Sequence, residues 1–321
     1  MKTATVGRAW KRREVTLALA CVAVAVVFAR LSPYFLTVPN LATVLRNSVE
    51  LLLSSLGISF VLATAGIDIS IGGALGISAI LIGRALQAGW PTVSLAVLGP
   101  LIGTGFGLLA GAIIIFGRIP PIVATLGLYG LYRSIIFLLL GGNWLSGLPD
   151  RLGPLVTANF CGLPVAVIGI GFIYLLAWFI LRWLPLGTAI LATGGNEYAA
   201  HLAGVSTVRA KLFVYGFTGC LVGLAALHYV ARYRNVETSA GTALALDAIV
   251  AAVLGGTSVL GGRANLLGTL LGVLLVRLLQ NGFILAGVPS LWEQVITGGL
   301  LILVLILEKV NRGPRLAGTN H

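Results

Sequence analysis

The 321 residues are 58% hydrophobic and 9% charged, with a mean hydropathy of +1.03, against roughly 25% charged residues in an ordinary soluble domain. That balance excludes a soluble globular enzyme, and the formal net charge of +12 calls for no nucleic acid, because a membrane protein gathers Lys and Arg beside its spans for topological reasons. The surrounding medium is a lipid bilayer, crossed by helices rather than a barrel, since stretches such as AVIGIGFIYLLAWFIL (166–181) lack the alternation of a transmembrane strand.

The chain opens with a basic stretch, 1–14, followed by an apolar run at 15–29. The pair has the outline of a secretory signal, but FARLSPYF (28–35) offers a poor cleavage site, so an uncleaved first helix is expected. Further apolar segments lie at 49–64, 69–83, 92–117, 119–140, 162–181, 211–231, 245–259, 265–286 and 291–307. Together they predict an all-α polytopic membrane protein of about ten transmembrane segments, each near the roughly 20 residues that a crossing needs. Segment 69–83 is short and glycine-rich, and it reads equally as half of a broken helix.

AGIDISIGG (65–73) sets Asp68 in this uncharged region. Its carboxylate can accept from the backbone N–H of Ser70 or Ile71 and so open a helix with negative charge at the positive end of the dipole. The alternative is that Asp68 lines a pathway and meets a polyhydroxylated solute; capping is favoured. The outer loop GGNWLSGLPDRLGPLVTANFCG (141–162) carries Trp144 and Pro149 and predicts an ordered surface element. In the inner loop, 182–211, Asn196 or Thr193 can cap a short helix bearing Ala199, Ala200 and Leu202 and ended at Gly204.

With both termini in the cytoplasm, Lys2, Arg8, Lys11, Arg12, Arg13, Arg118, Arg182, Arg209, Lys211, Arg263, Lys309, Arg312 and Arg315 fall inside. Only Arg30, Arg46, Arg84, Arg151, Arg232 and Arg234 fall outside, with Arg133 and Arg277 within spans. His228 reads as a hydrogen-bonded packing residue, and Arg277 as partnered locally by Gln280 or Asn281. The acids Glu50, Asp68, Asp247, Glu293 and Glu308 can each be placed near a span end, which argues against an ion-coupled carrier and for an external motor. No GxxxxGK[ST], HExxH or CxxC occurs, so no nucleotide loop, metal site or cofactor is expected, and Cys21, Cys161 and Cys220 suggest no disulfide framework.

Most of the 43 glycines read as helix-packing positions, as in GTGFGLLAGA (103–112) and GTLLGVLL (268–275). Two stretches resemble each other, GIDISIGGALGISAILIG (66–83) and LALDAIVAAVLGGTSVLGG (244–262), each with an Asp opening an apolar, glycine-rich run.

GIDISIGG, IPPIVATLGLYGLYRSI (119–135), ATGGNEYAAHLAGV (192–205) and AAVLGGTSVLGGRANLLGTLLG (251–272) occur in an order that resembles the permease subunits of bacterial sugar-type ABC importers. These are the ribose, rhamnose and autoinducer-2 permeases, and the resemblance spans about residues 45–307. It implies a multi-pass subunit of the bacterial cytoplasmic (inner) membrane, with 15–307 as the permease domain and 308–321 as a cytoplasmic tail. The implied partners are a cytoplasmic ABC ATPase that hydrolyses ATP, a second permease copy or paralogue and a periplasmic solute-binding protein; the chain itself is not an enzyme. By resemblance, 182–211 is the coupling loop, and Gly195, Asn196, Glu197, Ala199, Ala200 and Gly204 would contact the ATPase. The outer loop looks most like autoinducer-2 permeases, so Asn143, Trp144, Asp150 and Arg151 would face the binding protein. Thr64, Ser70, Ser78, Thr125 and Asn281 are candidate pathway residues on segment character, beside Asp68. The competing expectation is a stand-alone secondary carrier or channel for a small polar solute.

Overall fold

A computed structural model describes residues 2–289, with side chains from Arg13 onward, and Trp292, Val295, Gly298, Gly299 and Ile302 beyond. The expected last segment (291–307) and tail (308–321), with Glu293, Glu308, Lys309, Arg312 and Arg315, and the side chains of Lys2, Arg8, Lys11 and Arg12 lie outside the described residues. In chain order the elements are α1 (Lys2–Leu31), α2 (Val38–Asn47), α3 (Val49–Ala63), α4 (Ile71–Gln87), α5 (Thr92–Phe116), α6 (Pro121–Leu140) and α7 (Pro154–Thr157). A two-stranded hairpin, β1 (Asn159–Phe160) and β2 (Leu163–Pro164), leads to α8 (Val165–Trp183), α9 (Pro185–Gly195), α10 (Glu197–Leu202), α11 (Thr207–Tyr233), α12 (Leu244–Leu254) and α13 (Leu266–Leu285). Among the described residues six helices are long and apolar enough to cross a membrane: α1 from Arg13, α5, α6, α8, α11 and α13. The pair α2 and α3, bent by 42° at Ser48, makes a seventh. The fold is all-α and polytopic.

α3 is the axis of the bundle, with all fifteen of its residues buried. α11 packs on it and also against α5 along a seam of glycines. A Cβ added at Gly103 would lie 2.1 Å from the Gly219 carbonyl oxygen, and one at Gly223 would lie 2.0 Å from that of Gly99. The two backbones therefore touch, which small residues permit and larger ones forbid.

The two ends of the bundle are distinct. At one, α9 meets the end of α3, where Gly262 N–H donates to Ala63 O (2.9 Å) and Gly194 crowds the same carbonyl, and α10 packs on α9. At the other, the hairpin end, Leu145 and Val236 form a bridge, Arg151 donates to Gly89 O, and Arg46 donates to Asn159.

Two stretches leave helical geometry inside the bundle. After α3 the chain runs irregularly through 64–70 before α4 begins. The α11–α12 connection descends beside α4 from the hairpin end: Leu145, paired with Val236, lies against Gly83, Ala240 lies against Gly76, and Gly241 meets Gly72. Arg133, within α6, holds this descent by donating to Ala240 O (3.3 Å). Gly72 is about 16 Å along the helix axis from Gly83 at 1.5 Å per residue, so α12 starts in the interior. Its eleven residues rise about 16 Å, half of the roughly 30 Å hydrocarbon core. Segment 245–259 thus differs from the expected span. It stops at Leu254, where Gly255 packs backbone to backbone on Gly268 and Gly256 takes φ 94°.

The acids follow the backbone. Asp68 is 2% exposed and Asp247, in the first turn of α12, is 7% exposed. Both sit at helix starts, Asp68 just after the end of α3 and Asp247 in the first turn of α12, and both are buried by protein. Irregular backbone at this depth is possible because protein buries it.

Candidate functional site

α9 and α10 form a bracket at one end of the bundle. Pro185 opens α9, and after Gly195 the chain turns at Asn196, whose Oδ1 accepts the Ala199 N–H at 2.9 Å. Asn196 is therefore the cap, while Thr193 donates instead to Ala189 O (2.7 Å). Gly204, at φ 81°, ends α10 as expected, with Val205 N–H returning to Ala200 O. Of the residues singled out by sequence, Gly195, Asn196, Glu197, Ala199 and Gly204 are exposed and Ala200 is buried. Tyr198 (73% exposed) and Leu202 (69%) extend the apolar surface of this bracket. Lys211 Nζ on α11 donates to both carboxylate oxygens of Glu197, at 2.6 and 2.7 Å. Between bracket and bundle lies a cavity of about 230 Å³, lined among others by Thr64, Gly66, Thr193, Glu197, Lys211 and Tyr215.

Deeper in, the break at 64–70 gathers several predicted residues. Asp68 Oδ1 accepts from Ser70 N–H (2.9 Å) and from its hydroxyl (2.6 Å). Ser70 occupies the N-cap position of α4 without a side-chain cap of its own, and the Asp68 carboxylate accepts at the start of the helix as the sequence predicts. Thr125 donates to Ile67 O (3.2 Å), which brings α6 to the same break, and Thr64 closes the end of α3 on Val61 O (2.8 Å). Ser78 lies farther along α4, buried, its hydroxyl without a protein partner. Asn281 is not part of this group: it exchanges hydrogen bonds with Asn40 of α2 (2.9 and 3.1 Å).

At the hairpin end Asn143, Trp144, Asp150 and Arg151 share one surface loop. Leu148 and Leu152 anchor it in the core, and Arg234 pairs with Asp150 at 3.4 Å. Trp144 stays 60% exposed.

Residues 40–305 match the family described as "Branched-chain amino acid transport system / permease component". The chain belongs to this permease family. It is 33% identical to the ribose import permease protein of Bacillus subtilis (strain 168) over 286 residues, 88% of this chain and 89% of that one. It is likewise 33% identical to the autoinducer 2 import system permease protein of Shigella flexneri over 300 residues, 92% and 86% of the two chains. The ribose import permease protein of Escherichia coli (strain K12) is 32% identical over 309 residues, 94% of this chain and 95% of that one. No solved structure matches. The resemblance to ribose and autoinducer-2 permeases carried by the ordered motifs therefore holds. The permease is a multi-pass protein of the bacterial cytoplasmic membrane.

The permease also contains buried polar pairings that its sequence pattern does not specify. Glu50, 5% exposed at the start of α3, binds His228 Nδ1 (3.2 Å) and Arg232 (3.0 and 3.1 Å) of α11. This makes His228 the hydrogen-bonded packing residue expected. Arg277 donates to Gln280 (2.7 Å), one of its two expected partners, and Gln280 reaches Asp247 (3.4 Å), joining α13 to α12. The tyrosines Tyr132 and Tyr215 were not foreseen: their hydroxyls are buried without a protein hydrogen-bond partner, and that of Tyr215 abuts Gly66. Their only sequence signal is a phenol inside a glycine-rich apolar span.

Proposed function

We propose that this permease is the translocation subunit of an ATP-binding-cassette importer for a sugar or sugar-like solute of the ribose, rhamnose or autoinducer-2 type. The observation that carries the reading is the bracket: a short capped helix with Tyr198 and Leu202 outward, bonded through Glu197 to Lys211 of a span. Such an element serves a motor subunit as a lever, and the residues Gly195, Asn196, Glu197, Ala199, Ala200 and Gly204 form or support its contact surface. The named activities of the relatives support a polyhydroxylated solute, since those likenesses cover nearly the whole chain. They are a closer guide to the solute than the branched-chain amino acids in the family's description.

In this reading the α10 end is cytoplasmic. Arg13 reaches the loop at Gly256, so the basic stretch with Lys2, Arg8, Lys11 and Arg12 belongs to the same side, as positive-inside placement requires. With the ten membrane segments expected from the sequence, both termini are cytoplasmic in this reading. A periplasmic binding protein delivers solute to the surface at Asn143, Trp144, Asp150 and Arg151. A cytoplasmic ATPase binds α10, and a second permease copy or paralogue completes the membrane unit. ATP hydrolysis belongs to the ATPase. Its closure moves α10, and the spans rock between outward and inward openings past Asp68, Ser70, Thr64, Ser78, Thr125 and Asn281.

A stand-alone secondary carrier is the second reading, and the interior positions of Asp68 and Asp247 are the observation in its favour. Purification of the permease from its host membrane, with identification of the proteins that accompany it, tests the first reading: an ABC ATPase and a solute-binding protein are expected. Gradient-driven uptake of D-ribose by vesicles containing this chain alone would overturn it.

A further inference from the structure

The cavity beneath α10 has properties beyond those of a lever. Its charged groups, Glu197 and Lys211, neutralise each other at 2.6 Å, and the remaining polar groups on its wall include the side chains of Thr64, Thr193 and Tyr215. Such a lining offers hydrogen bonds without net charge, which suits a neutral polyhydroxylated molecule better than an ion. The Tyr215 hydroxyl, on a residue 1% exposed, has no protein partner and stands against Gly66, another lining residue. Buried polar groups are nearly always hydrogen-bonded, so an orphan beside a cavity marks the place of a ligand oxygen. One wall belongs to α10 itself, so any movement of α10 relative to α11 changes the cavity's shape and breaks the Glu197–Lys211 pair.

We propose that this cavity is the exit subsite for the transported solute, a neutral polyol held by the Tyr215 hydroxyl, with the Glu197–Lys211 pair as its door. The assignment deepens the importer reading and rests on it. The test uses the complete importer, permease with its ATPase and binding protein, in vesicles with the α10 face outward. Radiolabelled D-ribose, L-rhamnose and autoinducer-2 are first offered to the unmodified complex, and the imported member becomes the probe. If none is imported with ATP, the importer reading falls and the subsite with it.

The reporter is Ala65→Cys, at an exposed lining position, with Cys21, Cys161 and Cys220 replaced by serine. At four times its Kd the probe is expected to slow maleimide labelling of Ala65→Cys about fivefold, by mass action. Tyr215→Phe removes only an oxygen that holds no protein partner, and it should raise the probe concentration needed for that protection about fivefold, the worth of one hydrogen bond. Labelling indifferent to an imported probe overturns the subsite while leaving the importer reading intact. Full protection at an unchanged concentration in Tyr215→Phe overturns the role of its hydroxyl.

Discussion

Alanine at Gly219 tests the glycine seam between α5 and α11 directly. The new Cβ would lie 2.1 Å from the Gly103 carbonyl oxygen and 2.9 Å from the Gly107 nitrogen, both backbone atoms with no rotamer to escape into. Ordinary contact begins near 3.4 Å, so the seam must open by 3.4 − 2.1 = 1.3 Å. Overpacking of this kind costs about 1–3 kcal/mol, toward the upper end where backbone is struck, and alanine's better helix propensity returns up to about 1 kcal/mol. The net loss is about 2 kcal/mol, or on the order of 4 °C in Tm for a chain of this size. Gly105, in the same helix, has nothing within 4 Å of an added Cβ, so Gly105→Ala serves as the matched control and should leave Tm unchanged or slightly raised. Thermal unfolding of both variants in one detergent decides the matter. A Gly219→Ala protein as stable as Gly105→Ala would refute backbone contact at the seam.

Two further substitutions probe the buried acids. Asp68→Asn retains an oxygen for the Ser70 N–H and should preserve assembly and most transport, whereas Asp68→Ala should lower both, by about 1 kcal/mol in stability; equal loss of transport with normal assembly in the two variants would point to the pathway instead. Glu50→Gln strips Arg232 and His228 of their shared anion and should cost about 3 kcal/mol, the order expected when one partner of a buried pair is removed. The double variant Glu50→Gln with Arg232→Gln should recover most of that loss in the same thermal assay, and a double variant as unstable as the single one contradicts the pairing.

Much of this architecture was readable because a bilayer dictates apolar length: each segment expected within the described residues coincides with a helix. The short helix at 197–202 was equally legible, since Asn196 and Gly204 are the residue types that such an element needs at its ends. What escaped was depth. A glycine-rich apolar run satisfies a hydropathy window whether it crosses or turns back, so 245–259 looked like a full span and Asp247 like a residue at its rim. Whether α12 starts at the surface or inside depends on Gly241 meeting Gly72, a contact between residues 169 positions apart that no local pattern encodes. The Glu197–Lys211 pair was hidden for the same reason, with the turn between α10 and α11 deciding which cation the carboxylate meets. Arg277 was easier, because a charge in an apolar helix must be partnered and the nearby Gln280 and Asn281 narrowed the choice, whereas the Glu50 partner of His228 lies 178 positions away.

The half-length of α12 also bears on how the protein is made. A helix of about 16 Å exposes polar ends to lipid if released alone, so the insertion machinery has no complete span to hand over between α11 and α13. Its descent from Val236 to Leu254 is stable only against α3, α4 and α13, which means that α13 must be synthesised before α12 can settle. Translation therefore delivers α3 and α4 before the segments that pack on them, 236–254 and α13. A ribosome stalled before α13 would leave residues 236–254 without a place in the membrane.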